Sequence, residues 1–164
     1  MTGITVKIGT ATVNMTGIEF MTYANRYFEA AEYLRGHSSE DWFDPIPYHL
    51  LCQSLELHLK SYIWLIDRLP RDKYRSKYGH DIAKLWRHSK DRNISKYCAD
   101  TPLRNDVINL VNPFYKSRKF GYLDLSMSWQ GIPLLRKNKQ VLPTIRRLCK
   151  QLRNSLKQPI LRAS

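Results

Sequence analysis

Four polar side chains interrupt the most apolar stretch of the chain, YHLLCQSLELHLKSYIWLIDRL at residues 48–69. Gln53, Glu56, Lys60 and Asp67 follow at spacings of three, four and seven, which sets them on one narrow stripe of a helix. Glu56 and Lys60 form an i,i+4 pair in the favourable order. On an exposed face such a pair stabilises by only about 0.3 kcal/mol. Under a neighbouring helix it needs further partners to offset desolvation. The stripe is either the wet side of the helix or the wall of a groove.

Downstream, KYGHDI at residues 77–82 sets a histidine beside a basic loop, RLPRDKYRSKYG. Gly79 permits a backbone angle that other residues avoid. His80 or Asp81 can cap the helix that follows, and Asp81 suits its positive end. A histidine so placed can also move a proton or bind phosphate. NPFYKSRKFGY at 112–122 mixes aromatic side chains with Lys116, Arg118 and Lys119. That mixture can stack on bases and hold phosphates, or it can bury its rings while the cationic tips reach water.

The net charge is +13, and no acidic residue follows Asp124. Arg146, Arg147 and Arg153 belong to a final segment that is basic throughout. A field of this sign draws polyanions such as RNA, a nucleotide or an acidic protein face. Contacts are expected from Lys77, His80, Arg118, Lys119, Arg146, Arg147 and Arg153. Cys52, Cys98 and Cys149 form no C-x-x-C pair, which argues against a zinc site or a disulfide framework. Cys52 and Cys149 fall on apolar faces and are expected to be buried. No H-E-x-x-H, phosphate loop or dinucleotide fingerprint occurs. No metal and no cofactor are expected. No apolar run approaches a membrane span, and the N-terminus lacks the apolar core of a secretory signal, so a cytoplasmic protein is expected.

The elements that must position these residues are helices. Phe20, Ala24, Tyr27, Phe28, Ala31 and Leu34 share one face of a helix over 18–36, which Gly36 can end. The 48–69 helix is apolar on more than one side, as a central bundle helix should be. HSSEDWFDPIP reads as a loop broken by Pro45 and Pro47. A third helix starts near His80. A fourth starts at Asp100 or Thr101 with Pro102 in its first turn, and Pro113 limits it. His49 and His58 share no metal-binding face, and His88 has no acidic partner in register. Residues 115–139 read as a long irregular loop, and a last helix spans about 141–157. The prediction is an all-α bundle of about five helices over 18–158. An N-terminal arm covers 1–17 and a C-terminal tail 159–164.

YHLLCQSLELHLKSY followed by KYGHDIAKLW resembles the HEPN superfamily of small helical domains. The shared pattern is Gln–Ser–Leu–Glu–Leu–x–Leu–Lys on one helix and Gly–His–Asp opening the next. The resemblance covers about residues 18–115. It implies an up-and-down helical bundle, often a homodimer. It also implies either a metal-independent ribonuclease of toxin or phage-defence type, or a non-catalytic partner for RNA, a nucleotide or a companion protein. Nuclease members carry arginine, four to six residues, then histidine, commonly begun by Arg–Asn or Arg–Asp. Arg104–Asn105 and Arg153–Asn154 have that beginning but no histidine at the required distance. Arg75 and His80 match the spacing and are the catalytic candidates. The leading expectation is a binding module; the alternatives are the ribonuclease using Arg75 and His80 and a purely structural dimerisation or protein-interaction domain. Gln53, Glu56, Lys60 and Asp81 are expected to form a partly buried polar seam, with Glu56 or Lys60 touching His80 or a cation of 116–119.

Overall fold

Leucines on several sides of one helix demand neighbours on several sides. In the computed structural model, which describes residues 16–37, 43–69, 71–121 and 132–163, α2 (Ile46–Asp67) meets that demand. It packs against α1 (Gly17–Arg35), α4 (Ile82–Asp91) and α7 (Val141–Ala163), and α5 (Pro102–Lys116) packs on α4 and α7. Two short helices complete the set, α3 (Arg71–Lys77) and α6 (Ile132–Lys137), with a 3-10 turn at Ile94–Lys96. The architecture is an all-α bundle, with no strand among the described residues. Leu55, Leu59, Ile63, Leu85, Ile108 and Leu152 lie at its centre. The predicted N-terminal arm falls almost wholly outside the described residues, as do the middle of HSSEDWFDPIP and residues 122–131.

Local signals fix most helix starts. The Glu19 carboxylate accepts from the Thr16 backbone N–H at 2.5 Å, which satisfies one otherwise unbonded donor at the start of α1. Asp81 Oδ1 accepts from the Lys84 backbone N–H at 2.9 Å, so Asp81, rather than His80, caps α4. Thr101 caps α5 with Pro102 behind it, and Gly36 ends α1. Gly17 is required by packing. A Cβ there would sit 2.5 Å from Trp64 Cε3 and 3.1 Å from Ile160 Cδ1. Its carbonyl accepts from Ser61 Oγ at 2.8 Å, which ties α1 to α2.

Several boundaries differ from the sequence-based ones. Pro45 and Pro47 do not keep the chain in a loop to residue 47; α2 begins at Ile46, where a proline in the first turn loses no hydrogen bond. The basic loop contains α3, because Tyr74 and Tyr78, four apart, are both buried and Tyr74 meets Phe20 at 5.1 Å between ring centroids. Pro113 does not limit α5, which runs on to Lys116. The carbonyl that the proline leaves unbonded belongs to exposed Asn109, where water can serve it. Residues 132–137 of the expected irregular segment form α6. The predicted tail is helical through Ala163, held by fully buried Ile160 against Gly17. These changes raise the expected five helices to seven among the described residues.

Candidate functional site

Glu56 is the hub. It sits on α2 at 1% exposure, and a carboxylate so placed must be satisfied by the protein. Lys60 Nζ, one turn on, donates to Oε1 at 2.5 Å and to the Gly79 carbonyl at 3.2 Å. His80 Nδ1 lies 3.0 Å from Oε2. The Tyr115 hydroxyl, from α5, lies 2.6 Å from Oε2 and 2.6 Å from Gln53 Oε1. Burial alone would raise the pKa of Glu56. The hydrogen bond from His80 and the charge and hydrogen bond of Lys60 outweigh it and hold the group below the usual carboxylate range. The Tyr115 hydroxyl is pushed far up, first by burial and then by the Glu56 charge, so it stays protonated as a donor.

The turn after α3 brings His80 to this hub. Gly79 adopts φ +55, as expected of it, and its N–H bonds to the Tyr74 and Arg75 carbonyls at 3.2 and 3.1 Å. The chain then reverses, His80 meets Glu56, and Asp81 starts α4. Glu56 thus contacts His80 as the seam expectation held.

The His80 ring is not sealed in; its side chain is 42% exposed. It lines a cavity of about 300 Å³ together with His49, Gln53, Tyr115, Arg118 and Gly121. Tyr115 stands beside both imidazoles, with ring centroids 6.0 Å from His49 and 6.1 Å from His80. His49 is held below the usual histidine range by burial, partly countered by the Glu56 charge. Its Nδ1 is buried without a hydrogen-bond partner among the described residues. Arg118 follows the end of α5 in the left-handed region, φ +61, where glycine is the usual residue. Its guanidinium has no ion-pair partner among the described residues. The cavity therefore offers a cation without an ion-pair partner among the described residues and two imidazoles, one of them held by a buried carboxylate. Such a set can accept a phosphate and move protons on it.

The other sequence candidates are placed elsewhere. Arg75 is exposed on α3 and does not line the cavity. Lys77 Nζ lies 5.2 Å over the Tyr78 ring. Asp81 stands apart from the Glu56 seam: it caps α4 and pairs with Lys116 at 2.7 Å, and Asn112 also donates to it. Arg146 binds both Glu32 oxygens, at 2.6 and 2.5 Å, and Arg153 reaches Glu29 at 2.8 Å. These two arginines clamp α7 to α1. Arg147 Nε donates to the Pro143 carbonyl within α7, and Lys119 is half-buried outside the cavity lining. Of the expected polyanion contacts, only His80 and Arg118 meet in the cavity. His88 does have an acidic partner: Asp67 Oδ2 lies 2.6 Å from its Nε2, a pairing made by tertiary packing of α4 on α2.

The sequence reading did not place His49 or Tyr115 among the site residues. His49 extends the stripe, since 49, 53, 56 and 60 are spaced four, three and four. That spacing is the signal that finds it. Nothing local marks Tyr115, whose ring resembles any other core aromatic. All three cysteines are buried and unbridged, and burial pushes the Cys149 thiol up to about 12. Among the described residues no group of three or more histidine, cysteine, aspartate or glutamate side chains could hold a metal ion. No described helix is long and apolar enough to cross a membrane. No family model matches the chain, and neither a curated protein nor a solved structure does.

Proposed function

We propose that the chain is a HEPN-like, cytoplasmic binding module that takes a phosphate of RNA or of a nucleotide into the His49–His80–Arg118 cavity. One observation carries it: a histidine anchored on a buried carboxylate shares an open cavity with an arginine that has no ion-pair partner among the described residues. The +13 charge supports attraction of the ligand from a distance. The test is calorimetric titration with a nucleoside 5′-monophosphate and a short single-stranded RNA at low and moderate salt. Binding should weaken steeply with salt, and His80→Ala and Arg118→Ala should each weaken it by about tenfold or more. No binding of either ligand at low salt would sink the proposal.

Two imidazoles on one cavity favour a second reading, cleavage of RNA without metal. One would take the proton of the ribose 2′-hydroxyl as O2′ attacks phosphorus. The other would protonate the departing O5′ as the P–O5′ bond breaks, leaving a 2′,3′-cyclic phosphate. The arginine suited to hold the phosphate is Arg118, not Arg75. His80→Ala should then abolish cleavage in EDTA and Arg75→Ala should leave it intact. Intact RNA with wild-type protein would end this reading. The homodimer is proposed with both readings, and a solution mass near 19.4 kDa rather than twice that would remove it.

A further inference from the structure

A second cavity, of about 500 Å³, lies between α1, the start of α2, α6 and α7. Among the described residues it shares no lining residue with the His80 cavity. Its volume is within the range of small-molecule sites. Its wall is apolar and aromatic. Phe43 and Tyr48 pack at 5.2 Å between centroids, and Leu51 and Leu142 continue the surface.

Among the described residues the rim carries four arginines against two carboxylates. Both carboxylates are already engaged. Glu32 holds Arg146 through two hydrogen bonds and lies 3.9 Å from Arg35, and Asp44 Oδ1 accepts from the Ile46 backbone N–H at 2.9 Å. Arg136 and Arg147 have no ion-pair partner among the described residues, and both are exposed at the rim. A wall of this kind with surplus positive charge at its edge fits a ligand with a flat apolar body and one anionic end.

We propose that this cavity binds an aromatic monophosphate or carboxylate. The ring system lies against Tyr48, Leu51 and Leu142, and the anionic end lies at Arg136 and Arg147. Neither part of the ligand suffices alone. The apolar wall has nothing to offer inorganic phosphate, and a neutral aromatic brings no negative charge to the two guanidinium groups.

The probes are 2-naphthyl phosphate, 2-naphthol and inorganic phosphate, titrated calorimetrically into the full chain. Naphthyl phosphate should bind saturably, and each of the other two at least about tenfold more weakly. The double variant Arg136→Gln/Arg147→Gln changes only exposed side chains and should weaken naphthyl phosphate by about tenfold or more. Leu142→Trp, which fills the cavity from a half-buried position, should do the same. Arg118→Ala should leave this binding unchanged. Absence of saturable binding would overturn the proposal, as would equal affinity in the double variant. Loss in Arg118→Ala with retention in the double variant would also overturn it, by placing the ligand in the other cavity. Failure of RNA or nucleotide to bind at His80 leaves these outcomes unaffected.

Discussion

Replacing Arg118 by glycine should push stability and binding in opposite directions. Arg118 adopts φ +61 just past α5, where its Cβ crowds the backbone. A side chain in that region costs about 1 kcal/mol relative to glycine. Its backbone bonds, N–H to the Tyr115 carbonyl at 2.9 Å and carbonyl to the Gly121 N–H at 3.1 Å, do not need the side chain. Arg118→Gly should therefore gain about 1 kcal/mol, or roughly 2–4 °C in Tm for a chain of this size. The same change removes the cation from the cavity. A hydrogen bond from a charged group contributes about 1.5–3 kcal/mol, which is roughly 10- to 150-fold in affinity. The salt dependence of single-stranded RNA binding should also flatten by about 0.7 in log–log slope. Thermal melting by circular dichroism and calorimetric titration read the two effects independently. A rise in Tm with unchanged RNA affinity would remove Arg118 from the phosphate site. A fall in Tm would show that the guanidinium, not the backbone, holds this turn together.

Glu56→Gln strands the Lys60 ammonium in a buried site and should cost about 3–5 kcal/mol by urea denaturation. Adding Lys60→Met should recover part of that loss, and a double variant no more stable than the single would contradict the pairing. His58 is fully buried and burial pushes it down to about 4, so below pH 6.5 the unfolded chain takes a proton that the folded chain refuses. Stability should fall by about 3 kcal/mol as pH drops from 6.5 to 4. His58→Asn should flatten that window, and an unchanged slope would assign it to another group. Glu56, whose pKa is lowered, acts in a different window: its contribution is present above about pH 4.5 and lost below it. Gly17→Ala should cost about 1–3 kcal/mol because Trp64 must shift. Gly36→Ala, where a Cβ would meet only the Tyr33 carbonyl at an ordinary 3.6 Å and φ is −74, is the matched control and should change stability little in the same melts.

Much of this architecture was legible in the sequence because helical periodicity and capping are local. The spacing of Leu51, Leu55, Leu59 and Tyr62 implied a central helix, and α2 is central. Thr101 with Pro102, Asp81 and Gly36 marked ends that the structure retains. The positive φ of Gly79 followed from its place between a basic loop and a helix start. The polar stripe on α2 implied a seam, and Glu56 meets His80 there. Local cues failed where burial overrides them. α3 forms because Tyr74 and Tyr78 find a core, and α7 continues past Pro159 because Ile160 does.

Sequence by itself determined which faces are apolar, where most helices start, and that the chain carries an excess of positive charge. Only the tertiary structure decided which of those cations find an ion-pair partner among the described residues. Arg118 and Arg146 are equivalent as letters. Folding sets Arg146 against Glu32 of α1, while Arg118 reaches a cavity whose described lining holds two imidazoles and no carboxylate. The physical reason is range. Helix periodicity acts over a few residues along the chain, whereas an ion pair acts over a few ångströms in space, and here its partner is 114 residues away.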